Sequence, residues 1–241
     1  MITLKLENIS FSYPTGFNSK LRVLNNLSLT AESGNIIGLV GKNGSGKTTL
    51  LNILKGVISP ETGSFQIYTN EEIFTQSFIP LVSQNVDSNL FPTMTVFENF
   101  CIVKNKHCSP FKKYYSKSNY SYCQDLLLKA NMGIEDKIDE QVRFLSGGQK
   151  QALSILLALE NDLPILLMDE PTASLDPFVS ESIIGLAKKE IQARDGILFL
   201  VSHNLNDIIK YSNRILILSD MKVKEITHKK NTSELELMSL M

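Results

Sequence analysis

Long apolar runs are missing from this sequence. The longest, such as Ile165 to Met168 and Ile197 to Val201, fall far short of the ~18 consecutive apolar residues that a membrane-spanning helix requires, and their length suits buried strands. An excess of charge is missing too. With 24 basic against 25 acidic side chains, no global field would hold nucleic acid or an acidic membrane, although a local basic surface still could. Cysteine is scarce: Cys101, Cys108 and Cys123 are odd in number and show no C-x-x-C spacing. That argues against a zinc site or a disulfide framework and for free thiols. There is no repeat of solenoid type. At the N-terminus Ile2, Leu4 and Leu6 alternate with Thr3, Lys5 and Glu7, which reads as an opening strand and not as a secretory leader. The expected location is the cytoplasm, including the cytoplasmic face of a membrane.

What is present fits one generous globular domain with room for a subdomain: 241 residues, 43% apolar and 20% charged. Strands are expected near 2–9, 22–30 and 35–40, the last apolar on both faces as in a parallel sheet. Shorter strands are expected at 64–68 and 79–82. From about 86 to 145 the periodicity turns helical, through Val96, Phe97, Phe100 and Ile102 and then Leu126, Leu127, Leu128 and Ala130. Between these helices the stretch 104–122 has no acidic residue and sets Lys104, Lys106, Lys112, Lys113 and Lys117 among Tyr114, Tyr115, Tyr120 and Tyr122. It reads first as a solvated surface insertion, and second as a docking patch for a membrane or an acidic partner. Alternation then returns as strand 164–169, helix 177–193, strand 197–202, helix 204–211 and strand 214–218. Such βαβ order implies a parallel sheet covered by helices. A short amphipathic helix is expected over Thr232 to Met241.

Three motifs carry chemistry. Gly41-Lys42-Asn43-Gly44-Ser45-Gly46-Lys47-Thr48 fits G-x-x-x-x-G-K-[ST] between a buried strand and a helix. Its glycines let successive N–H groups point into one concavity for phosphates. Lys47 adds charge, and Thr48 offers a hydroxyl to Mg²⁺; Asn43 and Thr49 complete the candidate loop. Ile165-Leu166-Leu167-Met168-Asp169-Glu170 delivers two carboxylates at a strand's C-terminal end, where open α/β sheets place ligands. Asp169 suits Mg²⁺ and Glu170 suits the attacking water. Leu145-Ser146-Gly147-Gly148-Gln149 opens a helix whose Ser146 and Gln149 have capping-box spacing, and its glycines leave N–H groups open to an anion. An ordinary capped helix would show the same spacing.

In this order, these motifs resemble the ABC ATPases over nearly the whole chain, Ser146 to Gln149 matching the family signature. The resemblance implies a P-loop NTPase fold: a RecA-like parallel α/β core, an N-terminal antiparallel β-subdomain and a helical subdomain near 86–149. It also implies further roles. Tyr13, in Phe11-Ser12-Tyr13-Pro14, looks like the residue on which adenine stacks. Gln84 matches the Mg²⁺-sensing glutamine that leads into the helical subdomain. Ser174-Leu175-Asp176 matches the loop that crosses a dimer interface, and His203 the switch histidine at the γ-phosphate. The helix after the signature departs from the commonest subfamilies: it runs Lys150-Gln151-Ala152-Leu153 where many cassettes carry arginines. With Val201 to Asp207 and Tyr211 to Arg214, it looks like the ATPases of bacterial importers that use a substrate-binding protein, a class linked to aromatic amino acids.

That resemblance implies an ATP- and Mg²⁺-dependent homodimer in which each signature completes the partner's site. The expected activity is ATP hydrolysis that energises solute transport, with an amino acid as one candidate solute, through separate permease subunits. Ser88 to Asn99 resembles the segment on which such subunits dock. A substrate-binding protein is a further expected partner, and nucleic acid is not. The alternative is a soluble ABC ATPase of translation or DNA repair. Those usually carry two cassettes in a chain, or coiled-coil or zinc insertions, and this sequence has neither.

Overall fold

The computed structural model describes all residues except 17–18, 71, 74–77, 87–88, 105–115, 162, 174, 228–232 and 241. They form two compact units: Met1–Leu81 with Leu163–Glu170 and Ile191–Met241, and Val82–Asp162 with Pro171–Glu190. The helical segment read at 86–149 lies within the second.

The first unit holds an antiparallel sheet in the order β2-β1-β4-β5, built from β1 (Ile2–Gly16), β2 (Ser19–Glu32), β4 (Thr62–Thr69) and β5 (Glu72–Ile73). Strand β1 outruns the 2–9 expected from alternation. Its pairing with β2 shifts register between Leu6 and Ile9, and Asn8 sits at φ 53. Such a bulge switches which face the odd residues occupy and hides the continuing strand from a period-of-two reading. A second sheet runs β10-β9-β3-β8-β7-β6. Its strands are β3 (Ile36–Val40), β6 (Leu81–Ser83), β7 (Ile165–Asp169), β8 (Ile197–Val201), β9 (Arg214–Ser219) and β10 (Lys222–Thr227). The four strands β9, β3, β8 and β7 are parallel, while β10, too polar to be read as a strand, folds back antiparallel on β9.

Every residue of β3 and β8 is buried, as a parallel strand covered on both faces must be. Helix α1 (Lys47–Leu54) buries Leu50, Leu51, Ile53 and Leu54 in a core shared with Leu4, Leu6 and Ile9 of β1 and Phe199 of β8. Gly38 is required by close approach: a Cβ there would collide with Ile208 Cγ2, on α6 (Leu205–Tyr211). Asn213 and Arg214 lock the entry to the sheet. The Asn213 amide accepts from Ile36 N–H at 2.9 Å and donates to the Gly34 carbonyl at 2.9 Å. The Arg214 guanidinium grips Glu225 through two bonds and donates to the Thr30 carbonyl.

The second unit contains α2 (Val96–Lys104), α3 (Lys117–Leu128), α4 (Gly147–Ala158) and most of α5 (Pro177–Ala193). Thr95 and Glu98 cap α2 reciprocally, each backbone N–H meeting the other's side chain. Helices α2 and α3 pack through aromatic rings, Phe97 against Tyr120 and Phe100 against Tyr122. Most of the basic, tyrosine-rich stretch, 105–115 with Cys108, lies outside the described residues. At its ends Lys104 pairs with Glu160 at 3.0 Å, Tyr122 donates to the same carboxylate, and Tyr120 donates to Asp139. These side chains are engaged within the unit. The last helix, α7 (Glu234–Leu240), buries Leu237.

Asn213 is itself exposed, so water can reach the Ile36 N–H once the amide is truncated, and the loss is that of the two hydrogen bonds. Asn213→Ala should therefore destabilise the chain by about 1–3 kcal/mol, at about 0.5–1.5 kcal/mol for each bond. Urea unfolding should show a lower midpoint at unchanged slope; a wild-type midpoint would refute this role.

Candidate active site

Parallel register sets where the chemistry can emerge. Leu39 pairs with Val201, and Val201 pairs with Asp169, so three buried strands end along one row. The glycine loop follows β3 from Gly41, Glu170 follows β7 directly, and His203 stands two residues beyond β8.

The loop is shaped by its glycines. Gly44 and Gly46 occupy left-handed conformations at φ 79 and 104, which side chains tolerate poorly. Gly41 has no room for a Cβ, which would sit 2.5 Å from the Leu218 carbonyl. Lys47 donates to the carbonyls of Gly41 at 2.6 Å and Lys42 at 3.0 Å. Burial pushes its pKa down, against the opposing pull of Glu170 and Asp169. Ser45 Oγ is buried without a hydrogen-bond partner, an orphan acceptor and donor within the loop that a phosphate oxygen would satisfy. Lys42, Asn43 and Thr48 are exposed, while Thr49 is buried. Tyr13, at the far part of β1, meets Thr49 Oγ1 at 3.4 Å and packs edge-on against Phe11 with centroids 4.9 Å apart. Tyr13 is 38% exposed.

Glu170 sits at φ 50, unusual for a side chain of its size and more so before Pro171. Its N–H donates to the Val201 carbonyl at 2.9 Å, holding the strained turn to β8. Its carboxylate meets His203 Nε2 at 2.7 Å. Burial raises the pKa of Asp169, Glu170 adds to the rise, and Lys47 and His203 oppose it. Among the described residues no group of three His, Cys, Asp or Glu side chains forms a metal cage. The donor set fits Mg²⁺ only as a shared site. Asp169 supplies a partly buried carboxylate, Thr48 a hydroxyl at the start of α1, and the remaining ligands would be phosphate oxygens and water.

The second unit carries the other candidates. Ser146 caps α4 by accepting from Gln149 N–H at 3.3 Å, and Gln149 Oε1 accepts from Ser146 N–H at 3.1 Å. Gly148 has an additional cause that its sequence did not reveal: a Cβ there would lie 2.5 Å from Val179 Cγ1, so it permits α4 and α5 to touch. Gly147 is exposed. Gln84 is exposed just past β6. Gln151 was missed by sequence reasoning; it is 2% exposed and donates to the Ser83 carbonyl at 3.2 Å, tying the signature helix to the residue before Gln84. The only available signal was an amide on the apolar face of α4. Asp176 caps α5, accepting from Phe178 and Val179 N–H; Ser174 lies outside the described residues.

A glycine loop, an acid pair and a histidine at the ends of neighbouring parallel strands define a P-loop nucleotide hydrolase. The ABC transporter family model matches residues 24–173, and the chain belongs to that family: it is an ATP-binding, ATP-hydrolysing subunit that energises transport across a membrane. It is 31% identical to the tyrosine transport ATP-binding protein of Clostridioides difficile (strain R20291), covering 92% of this chain and 93% of that protein. It is also 31% identical to the choline transport ATP-binding protein OpuBA of Bacillus subtilis (strain 168), covering 92% of this chain and 57% of that one. Among solved structures it resembles the dimeric bacterial ABC transporter cassette MJ0796, at 28% identity and a TM-score of 0.76 over 94% of this chain and 99% of that one. No helix among the described residues is long and apolar enough to cross a membrane.

The raised pKa of Asp169 has a sign that can be tested. A carboxyl whose folded pKa exceeds its unfolded value favours folding at low pH and loses that contribution as pH rises through the folded pKa. At neutral pH its charge thus works against the fold. Asp169→Asn should melt above wild type at pH 7 without nucleotide or metal. The gap should close below the ordinary carboxylate range near ~4. A variant that melts lower at pH 7 would contradict the burial argument.

Proposed function

We propose that this chain is the ATPase of an importer, working as a homodimer on the cytoplasmic face of the membrane with separate permease subunits and a substrate-binding protein. An amino acid is the solute class favoured by the similarity to a tyrosine transport ATPase. The observation that carries the catalytic part is the common row of strand ends, which brings Glu170 to 2.7 Å from His203 and puts Lys47 in the field of Asp169 and Glu170.

In this reading Tyr13 stacks on adenine. The N–H groups of Gly41 to Thr49, with the Asn43 and Ser45 side chains, hold the phosphates. Lys47 exchanges the Gly41 and Lys42 carbonyls for phosphate oxygens, which restores a charged partner to a partly buried ammonium. Thr48 and Asp169 would hold Mg²⁺, with Gln84 the further ligand that the family resemblance implies, and the ion would neutralise charge on the phosphates. Glu170 orients the attacking water and takes its proton. His203 holds that carboxylate and reaches toward the γ-phosphate. Ser146, Gly147, Gly148 and Gln149 close over the nucleotide of a second copy, with the capped helix end presenting N–H groups to the phosphate. Loss of the γ-phosphate removes that anchor, so hydrolysis opens the clamp.

Glu170→Gln keeps the shape and removes the base. ATP hydrolysis should fall by about 100-fold or more, while ATP drives the variant into a dimer on gel filtration. Lys47→Ala should weaken ATP binding itself in a titration. Wild-type turnover by Glu170→Gln, or a monomer at saturating ATP, would overturn the respective assignment. Capture of a multi-span subunit from solubilised host membranes by Glu170→Gln with ATP would support the importer. Capture of ribosomes or repair proteins would favour a soluble role.

A further inference from the structure

We infer that Ser202 is a positioning residue for His203, fixing the backbone that aims its imidazole at Glu170; this rests on the role proposed for His203. The histidine side chain is 61% exposed, so packing does little to choose its rotamer. Among the described residues its short polar contact is with a carboxylate that also has to serve the water. Direction must then come from the backbone on either side, and four hydrogen bonds supply it. Val201, on the near side, is fixed in β8 and accepts from Glu170 N–H at 2.9 Å. On the far side, Ser202 Oγ accepts from Asn204 N–H at 3.0 Å, bridging over His203. The same hydroxyl donates toward Asp207 Oδ2 at 3.5 Å on the first turn of α6, where Asn204 caps the helix by accepting from Asn206 N–H at 3.1 Å.

The Ser202 hydroxyl therefore spans the turn that bears the histidine and joins it to the following helix. Without it the Asn204 N–H loses a partner, and residues 202–204 regain backbone freedom. Because the position is part-exposed, the loss falls on geometry more than on folding. Misplacement of a catalytic contact by an ångström can slow chemistry by up to ~100-fold, and such a loss appears in kcat while ground-state binding is spared.

The test measures steady-state ATP hydrolysis by the full chain, comparing wild type with Ser202→Ala, Ser202→Thr, His203→Ala and the Ser202→Ala/His203→Ala pair. Ser202→Ala should lower kcat by roughly tenfold with KM for ATP within about twofold. Ser202→Thr, which keeps the hydroxyl, should restore it. Adding Ser202→Ala to His203→Ala should cost nothing further. Full kcat in Ser202→Ala, equal impairment of the alanine and threonine variants, or losses that multiply in the pair would overturn the inference. Wild-type activity in His203→Ala would instead remove the histidine's own role, and the inference with it.

Discussion

The whole arrangement hangs on burial of the parallel strands β3, β7 and β8. A strand covered on both faces can carry no charge along its length, because an unpaired buried ion is far too costly. The chain therefore stays apolar from Ile36 to Val40 and from Ile197 to Val201, and releases its polar groups only where the strands end. Parallel pairing makes those ends coincide: Leu39, Val201 and Asp169 share a row. The phosphate loop, the acid pair and the histidine are brought together by the same register that closes the core. Function here is a boundary condition of the sheet.

At that boundary the protein holds groups that a nucleotide would satisfy. Burial disfavours the charges of both Lys47 and Asp169, Ser45 Oγ lacks a partner, and Glu170 is held in a left-handed turn. Each departs from what stability alone would select, and departures of this kind gather where ligands bind. The lysine rests on backbone carbonyls that lie within the loop itself, so binding exchanges one set of oxygens for another without building the site anew.

Much of this was legible in the sequence because it depends on local chemistry. The glycine pattern, the apolar run ending in Asp169-Glu170 and the S-x-x-Q spacing are each dictated by what a loop, a strand end or a helix cap requires, and each stands where those requirements placed it. The extension of β1 to Gly16 was not legible, because a bulge at Asn8 breaks the alternation on which strand reading relies. Strand β10 was missed because Lys222, Lys224 and Glu225 have the composition of a loop; only pairing with β9 makes them a strand. Gly148 read as a bare helix start, whereas Val179, 31 residues away in sequence, is what forbids a side chain there. Gln151 and Ser202 share one cause of invisibility: a side chain that acts through a neighbour's backbone has no motif of its own.

In the proposed dimer, a phosphate loop is completed by the signature of a second copy. The most direct measurement mixes two Glu170→Gln chains, one also carrying Lys47→Ala and the other also carrying Ser146→Arg, and counts ATP retained by the isolated mixed dimer. If sites form between chains, one phosphate loop and one signature remain intact and face each other, and the dimer keeps one ATP. If each chain completes its own site, every site is broken and none is kept, which would contradict the account.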